Sequence, residues 1–202
     1  MKLRLFMLFG ILLPNLFFGQ GTWIPFSSPA PKNINFNLIR SDNLSISFAV
    51  DVPGMLEEDT VVGGLLYKKL QIPGMADFEM DEGFPQIPFI CKMIAIPEYD
   101  SLSINYNTID SYIYNDILLF PRPTNQVIED TNGLYHFEDI FTKNDSIYSL
   151  NCNMLALDYK IKSTGYFRSQ KYLELIIYPI KYNPADQKLT VNFIFEITSV
   201  AS

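Results

Sequence analysis

Residues 172–198 read YLELIIYPIKYNPADQKLTVNFIFEIT, and this stretch decides the fold class. In its second half Leu189, Val191, Phe193, Phe195 and Ile197 alternate with Lys188, Thr190, Asn192, Glu196 and Thr198. A period of two is that of an extended strand, whose successive side chains point to opposite faces. The sequence therefore predicts a strand with one apolar face packed on a second layer and one face turned mostly to water. Residues 172–182 read as its partner strand. Between them, Asn183-Pro184-Ala185-Asp186 forms a turn, because the fixed φ of Pro184 suits the second position of a type I turn. The expectation is a closing hairpin.

The same alternation recurs upstream. Ile34, Phe36 and Leu38 are followed, after Ser41-Asp42-Asn43, by Leu44, Ile46, Phe48 and Val50, which fits two strands and a tight turn. Further extended segments are expected at residues 64–72, 89–96, 102–108 and 113–120. Gly63-Gly64 reads as a bend before a strand, since no Gly-Lys-Ser/Thr follows to make a phosphate cradle. Pro85, Pro88, Pro97, Pro121 and Pro123 mark strand starts, ends or free edges, because proline cannot donate to a ladder. The nearest candidate for a helix, residues 133–141, is short, aromatic and without a three-four apolar spacing. Many short strands with one buried face predict an all-β antiparallel sandwich, jelly-roll-like, in a single domain over residues 21–202.

Residues 1–20 carry Lys2 and Arg4 before an apolar run from Leu5 to Leu13, which Pro14 and Asn15 interrupt. That is the pattern of a secretory signal, too short for a spanning helix of about 20 apolar residues. Its removal takes away two of 15 basic residues and none of 22 acidic ones, moving the net charge from −7 to about −9. An acidic surface repels phosphate backbones and anionic headgroups, so the expectation is no nucleic-acid partner and no membrane insertion after signal cleavage. A partner with a basic face fits.

Catalytic inventory is thin. Nucleophilic chemistry of the Cys-His kind needs a thiol beside a base, and the chain has one His136 and two cysteines, Cys91 and Cys152, set 61 positions apart. Cys91 in PFICKMIAIP and Cys152 in LNCNML read as small apolar residues, and His136, between Tyr135 and Phe137, as an aromatic neighbour. None of these spacings is that of a zinc site. Oxidation of the two thiols to a disulfide after export stays open. The acids Glu57, Glu58 and Asp59, and Asp77, Glu79, Asp81 and Glu82, lack the calcium-hand pattern and read as solvated loops. No catalytic residue, metal or cofactor is expected.

Three segments, EGFPQIPFICKMIAIPE, ILLFPRP and RSQKYLELIIYPIKYNPADQKLTVNFIFEI, together resemble the N-terminal propeptide of the gingipain family of secreted bacterial cysteine peptidases. The resemblance spans residues 22–200, and its most telling part is a strand ending in Tyr-Pro, then Tyr-Asn-Pro before a Lys-Leu strand. It implies a β-sandwich prosegment that inhibits a gingipain-like cysteine peptidase, assists its folding and covers its active-site cleft, with no enzymatic activity of its own. It also implies an inhibitory loop that puts a side chain into the specificity pocket, a basic one where the peptidase cleaves after basic residues. Lys143, in Phe141-Thr142-Lys143-Asn144-Asp145, is the first candidate and Arg122, between Pro121 and Pro123, the second.

The family's peptidase domain, and the C-terminal domain by which its members leave through a type IX system, would follow Ser202. The expectation is either part of a zymogen acting in cis or an inhibitor acting in trans, exported to the periplasm or secreted from a Gram-negative bacterium. The alternative is a non-catalytic β-sandwich that binds glycan or an envelope protein through Trp23, Tyr112 and Tyr114 as exposed aromatics.

Overall fold

A computed structural model describes residues 21–42, 45–78, 80–96 and 102–201. The signal segment, Asn43, Leu44, Glu79 and Pro97 lie outside these residues. The first half of the chain gives β1 (Thr22–Pro25), β2 (Asn35–Ser41), β3 (Ser45–Asp51), β4 (Gly54–Val62), β5 (Leu65–Gln71), β6 (Ala76–Phe78) and β7 (Pro88–Ala95). There follow β8 (Leu102–Tyr114), β9 (Thr124–Glu129), β10 (Tyr135–Ile140) and a one-turn helix α1 (Asp145–Tyr148). The chain closes with β11 (Tyr159–Phe167), β12 (Gln170–Ile177), β13 (Ile180–Asn183) and β14 (Lys188–Ala201).

The fold is all-β and its strand pairs are antiparallel. The long β14 is the spine of a five-stranded sheet. Strand β8 runs along one of its edges, while β13 and β3 share the other and β2 lies outside β3. A four-stranded sheet has the order β11-β12-β7-β6, a three-stranded one the order β1-β4-β5, and β9 pairs with β10 alone. The two larger sheets face each other. Phe48 and Val50 of β3 and Leu189, Val191, Phe193, Phe195 and Ile197 of β14 meet Ile90 and Ile94 of β7 and Leu173, Leu175 and Ile177 of β12 in one apolar cluster. Burying each such side chain contributes about 1.5–3 kcal/mol, so this layer contact is what holds the sandwich together.

The alternating residues of β14 face inward as expected, with one exception on the other face. Asn192 is only 8 % exposed, because its N–H donates to the Pro179 carbonyl at 2.7 Å and its side chain meets Tyr106 Oη at 3.4 Å. The closing hairpin is present between β13 and β14 across residues 184–187. Its first strand, however, does not run through residues 172–182. The chain breaks at Tyr178-Pro179, where β12 in one sheet gives way to β13 in the other. Pro179 has no N–H to offer a ladder, so a change of sheet costs no hydrogen bond there.

Two other expectations change. Residues 102–108 and the start of 113–120 belong to one strand, β8, whose irregularity at Asp110 sits opposite Asn192 and Ile194. A bulge carries the strand through residues 109–112, the gap between those two expected segments. The acids Glu57, Glu58 and Asp59 are not in a solvated loop but in β4, paired in register with Leu70, Lys69 and Lys68 of β5. The Gly63-Gly64 bend does join these two strands, with φ of 60° and 82°. A two-residue turn with both φ positive matches the twist of the strands it connects, and glycine adopts it without strain.

Candidate functional site

Residues 124–140 form an arm. In β9 and β10, Thr124 pairs with Ile140, Gln126 with Glu138, Val127 with Phe137 and Glu129 with Tyr135. The tip is closed by Asp130, whose N–H donates to the Leu134 carbonyl at 2.8 Å while its carboxylate accepts from the N–H groups of Asn132 and Leu134 at 2.8 and 2.9 Å. Those two backbone donors, Leu134 first, hold the Asp130 carboxyl below its ordinary range. Gly133, at φ 79°, supplies the left-handed residue the turn needs.

Four of the arm's large apolar side chains are exposed. Val127 is 59 % exposed, Leu134 67 %, Tyr135 70 % and Phe137 80 %. By register, Asn125, Val127, Glu129, Tyr135, Phe137 and Asp139 share one face. An isolated two-stranded hairpin is marginal in water, so this one depends on its anchorage.

The root is built from aromatics and backbone bonds. Phe141 packs edge-on to Tyr67 and Phe120, with ring centroids at 5.5 and 5.6 Å. The hydroxyls of Thr124 and Thr142 meet at 2.9 Å. Just before the arm, the Leu119 carbonyl accepts from Tyr148 Oη at 2.7 Å, and the Ile117 carbonyl accepts from Tyr182 Oη at 2.9 Å. Asn144 donates from its backbone to the Gly83 carbonyl at 3.0 Å and caps α1 through its side chain, which accepts from the Ile147 N–H at 3.3 Å.

The two basic residues picked from sequence flank this root. Lys143 sits after β10, its Nζ 2.8 Å from Asp145 and 5.0 Å above the Tyr148 ring, with the side chain 25 % exposed against 87 % for Asp145. Arg122 sits before β9 and is held more firmly. Its guanidinium donates to the Met80 carbonyl, its N–H donates to Phe84 at 2.7 Å and its carbonyl accepts from Gly83 at 2.8 Å. Sequence reading missed the arm itself, although Asp130 and Gly133 carry a turn signal between the two short runs 124–129 and 135–140.

Elsewhere, Cys91 and Cys152 are separate thiols rather than a disulfide. Cys91, on β7, donates to Glu174 at 3.3 Å, whereas His136 sits on the arm opposite Ile128. Glu57 and Asp59 accept from Lys68 at 2.7 and 2.5 Å, and these two carboxylates, Asp59 foremost, raise the Lys68 pKa. Of the aromatics expected at the surface, Tyr112 is exposed. Trp23 is half-buried, its indole N–H donating to the Ser28 carbonyl at 3.0 Å, and Tyr114 lies half-buried with its ring 4.6 Å from that of Tyr112. A groove of about 300 Å³ opens between β2 and β7, lined mainly by apolar side chains including Phe36, Leu38 and Met93, with Lys92 at its edge. Among the described residues no helix is long and apolar enough to cross a membrane.

The family model Propeptide_C25 matches residues 31–200. The chain belongs to the Propeptide_C25 family. Its fold is that of solved gingipain pro-domains. It is similar, with a TM-score of 0.71 and 12 % identity, to a chain in the complex of Porphyromonas gingivalis RgpB pro- and mature domains, covering 85 % of this chain and 87 % of that one. It is also similar to a chain of a structure on zymogenic latency of gingipain K from Porphyromonas gingivalis, with a TM-score of 0.67, 17 % identity and coverage of 90 % and 98 %. No curated protein matches the chain. Propeptide_C25 membership and the shared sandwich make the chain a gingipain-type propeptide, that is, a zymogen prosegment.

Proposed function

We propose that this prosegment inhibits a gingipain-like cysteine peptidase and assists its folding by covering the active-site cleft, in cis within a zymogen or in trans. The observation that carries the reading is the Propeptide_C25 match over residues 31–200, together with a fold shared with a pro-domain found in complex with its mature domain. One binding event serves both roles. A ligand that binds only the native peptidase stabilises it by mass action, about 4 kcal/mol at a thousand times Kd, and the same contact excludes substrate.

The pocket-filling side chain we assign to Lys143, with Arg122 as the second candidate. Lys143 is the more easily released: its ion-pair partner Asp145 is exposed, and that pair together with the cation–π contact to Tyr148 holds it by about 2 kcal/mol or less. Arg122 would have to give up a backbone carbonyl in a half-buried site. Residues 1–20 are the proposed export signal, placing the protein in the periplasm or outside the cell.

The test uses purified mature gingipain-family peptidases, RgpB and gingipain K among them. Inhibition near a one-to-one ratio, together with a higher yield of active enzyme on refolding in the presence of the chain, supports the reading. Full activity of every enzyme at a large excess of the chain refutes it.

A further inference from the structure

We propose that one face of the β9–β10 arm is the prosegment's docking surface, and that the peptidase meets it with an apolar patch bordered by lysine or arginine side chains. This rests on the inhibitory reading above and adds to it the chemistry of the partner's surface. At the centre of the face Val127 and Phe137 stand directly opposite each other, with Tyr135 beside them, and all three are exposed. Glu129 stands opposite Tyr135 at one end and Asp139 opposite Asn125 at the other, both exposed. The apolar centre is thus bracketed by carboxylates.

Charge gives the face its partner. Residues 124–140 hold Glu129, Asp130, Glu138 and Asp139 and no lysine or arginine, so the arm projects a purely acidic field from a chain already at −7. A surface of aromatics ringed by charge is the anatomy of an interface core and rim: the aromatics fill pockets, while the rim charges set on-rate and register. An acidic partner would be repelled, and a neutral apolar one would leave the bracket unused. The opposite face offers no comparable patch, since Ile128 is half-buried and its neighbours are Gln126, His136 and Glu138.

The experiment measures both the dissociation constant and the inhibition constant of the full chain against mature RgpB, gingipain K and related peptidases, at about 50 and 500 mM salt. For the enzyme that binds, Phe137→Ala is expected to weaken binding at least about thirtyfold, the scale of a buried aromatic anchor. The double variant Glu129→Lys/Asp139→Lys is expected to weaken it at least about tenfold at low salt and much less at high salt, since rim charges are screened. Because these side chains are exposed, the thermal midpoints of both variants should stay close to the parent's.

Unchanged affinity in Phe137→Ala and in the double reversal, with the parent still inhibiting, overturns the docking face and leaves the inhibitory reading intact. Binding by the parent without inhibition overturns the inhibitory reading, and the variants' affinities still decide the arm. Binding to none of the enzymes overturns both.

Discussion

Tyr148 and Tyr182 clamp one residue between them: the Leu119 carbonyl accepts from Tyr148 Oη at 2.7 Å, and the Leu119 N–H reaches Tyr182 Oη at 3.4 Å. Both rings are buried, and Leu119 leads into the arm. The clamp therefore links the sandwich core to the segment that carries the proposed interface. Tyr182→Phe withdraws the hydroxyl from the Ile117 carbonyl and the Leu119 N–H at a site closed to water. Leaving such groups unpaired costs about 1–3 kcal/mol, so the urea midpoint should fall by that equivalent while the ring still fills its space.

Alkaline pH should unfold the protein through its tyrosines. Burial pushes the hydroxyls of Tyr106, Tyr114 and Tyr182 up to about 12, from an ordinary value of 10.0. The folded state holds these protons more tightly than the unfolded chain does. Their stabilising contribution is therefore complete below pH 10 and lost as the pH climbs from 10 to 12. Tyrosinate absorbance recorded alongside the urea midpoint should show stability level below that window and falling steeply through it.

Gly54 is fixed by its neighbours rather than by its backbone angle. A Cβ there would collide with the Ile24 carbonyl and with the Trp23 ring. Gly54→Ala should destabilise by about 1–3 kcal/mol through overpacking and push β1 away from β4. Trp23 is the sole tryptophan, so its emission should shift toward that of a solvent-exposed indole.

Lys143→Ala separates function from stability. Losing an ion pair and a cation–π contact should change the unfolding free energy by about 2 kcal/mol or less. The inhibition constant against a peptidase that cleaves after basic residues should rise at least about tenfold, the least expected of a side chain that fills a specificity pocket. An unchanged constant assigns the pocket to another residue, Arg122 being next.

The layered all-β architecture was legible because its signal is local. In β3 and β14 alternate residues face a core, and the period of two survives in the sequence as Phe48 and Val50 or as Phe193, Phe195 and Ile197. What was not legible depends on pairing over distance. Tyr178-Pro179 looks like the middle of a strand until β12 and β13 are seen to join different sheets. The acids of β4 look solvated until Lys68, across the ladder, is seen to hold two of them.

The arm escaped for the opposite reason. With neither face buried, no apolar-polar alternation is imposed on it, so Tyr135, Phe137 and Val127 sit where a buried strand or a poor helix would explain them equally well. Lys143 and Arg122 are candidates only through a family resemblance. Only the structure shows that they stand at the two sides of one root, one loosely tied and one fixed.

Competition at the active site tests the central claim most directly. A mature gingipain-family peptidase is mixed with a slight excess of the prosegment and challenged with a covalent reagent aimed at its catalytic cysteine, and labelling is followed by mass. Occupation of the cleft predicts that labelling slows in proportion to the fraction bound and recovers at the rate of dissociation. Labelling at the rate of the free enzyme, while the prosegment is demonstrably bound, contradicts it.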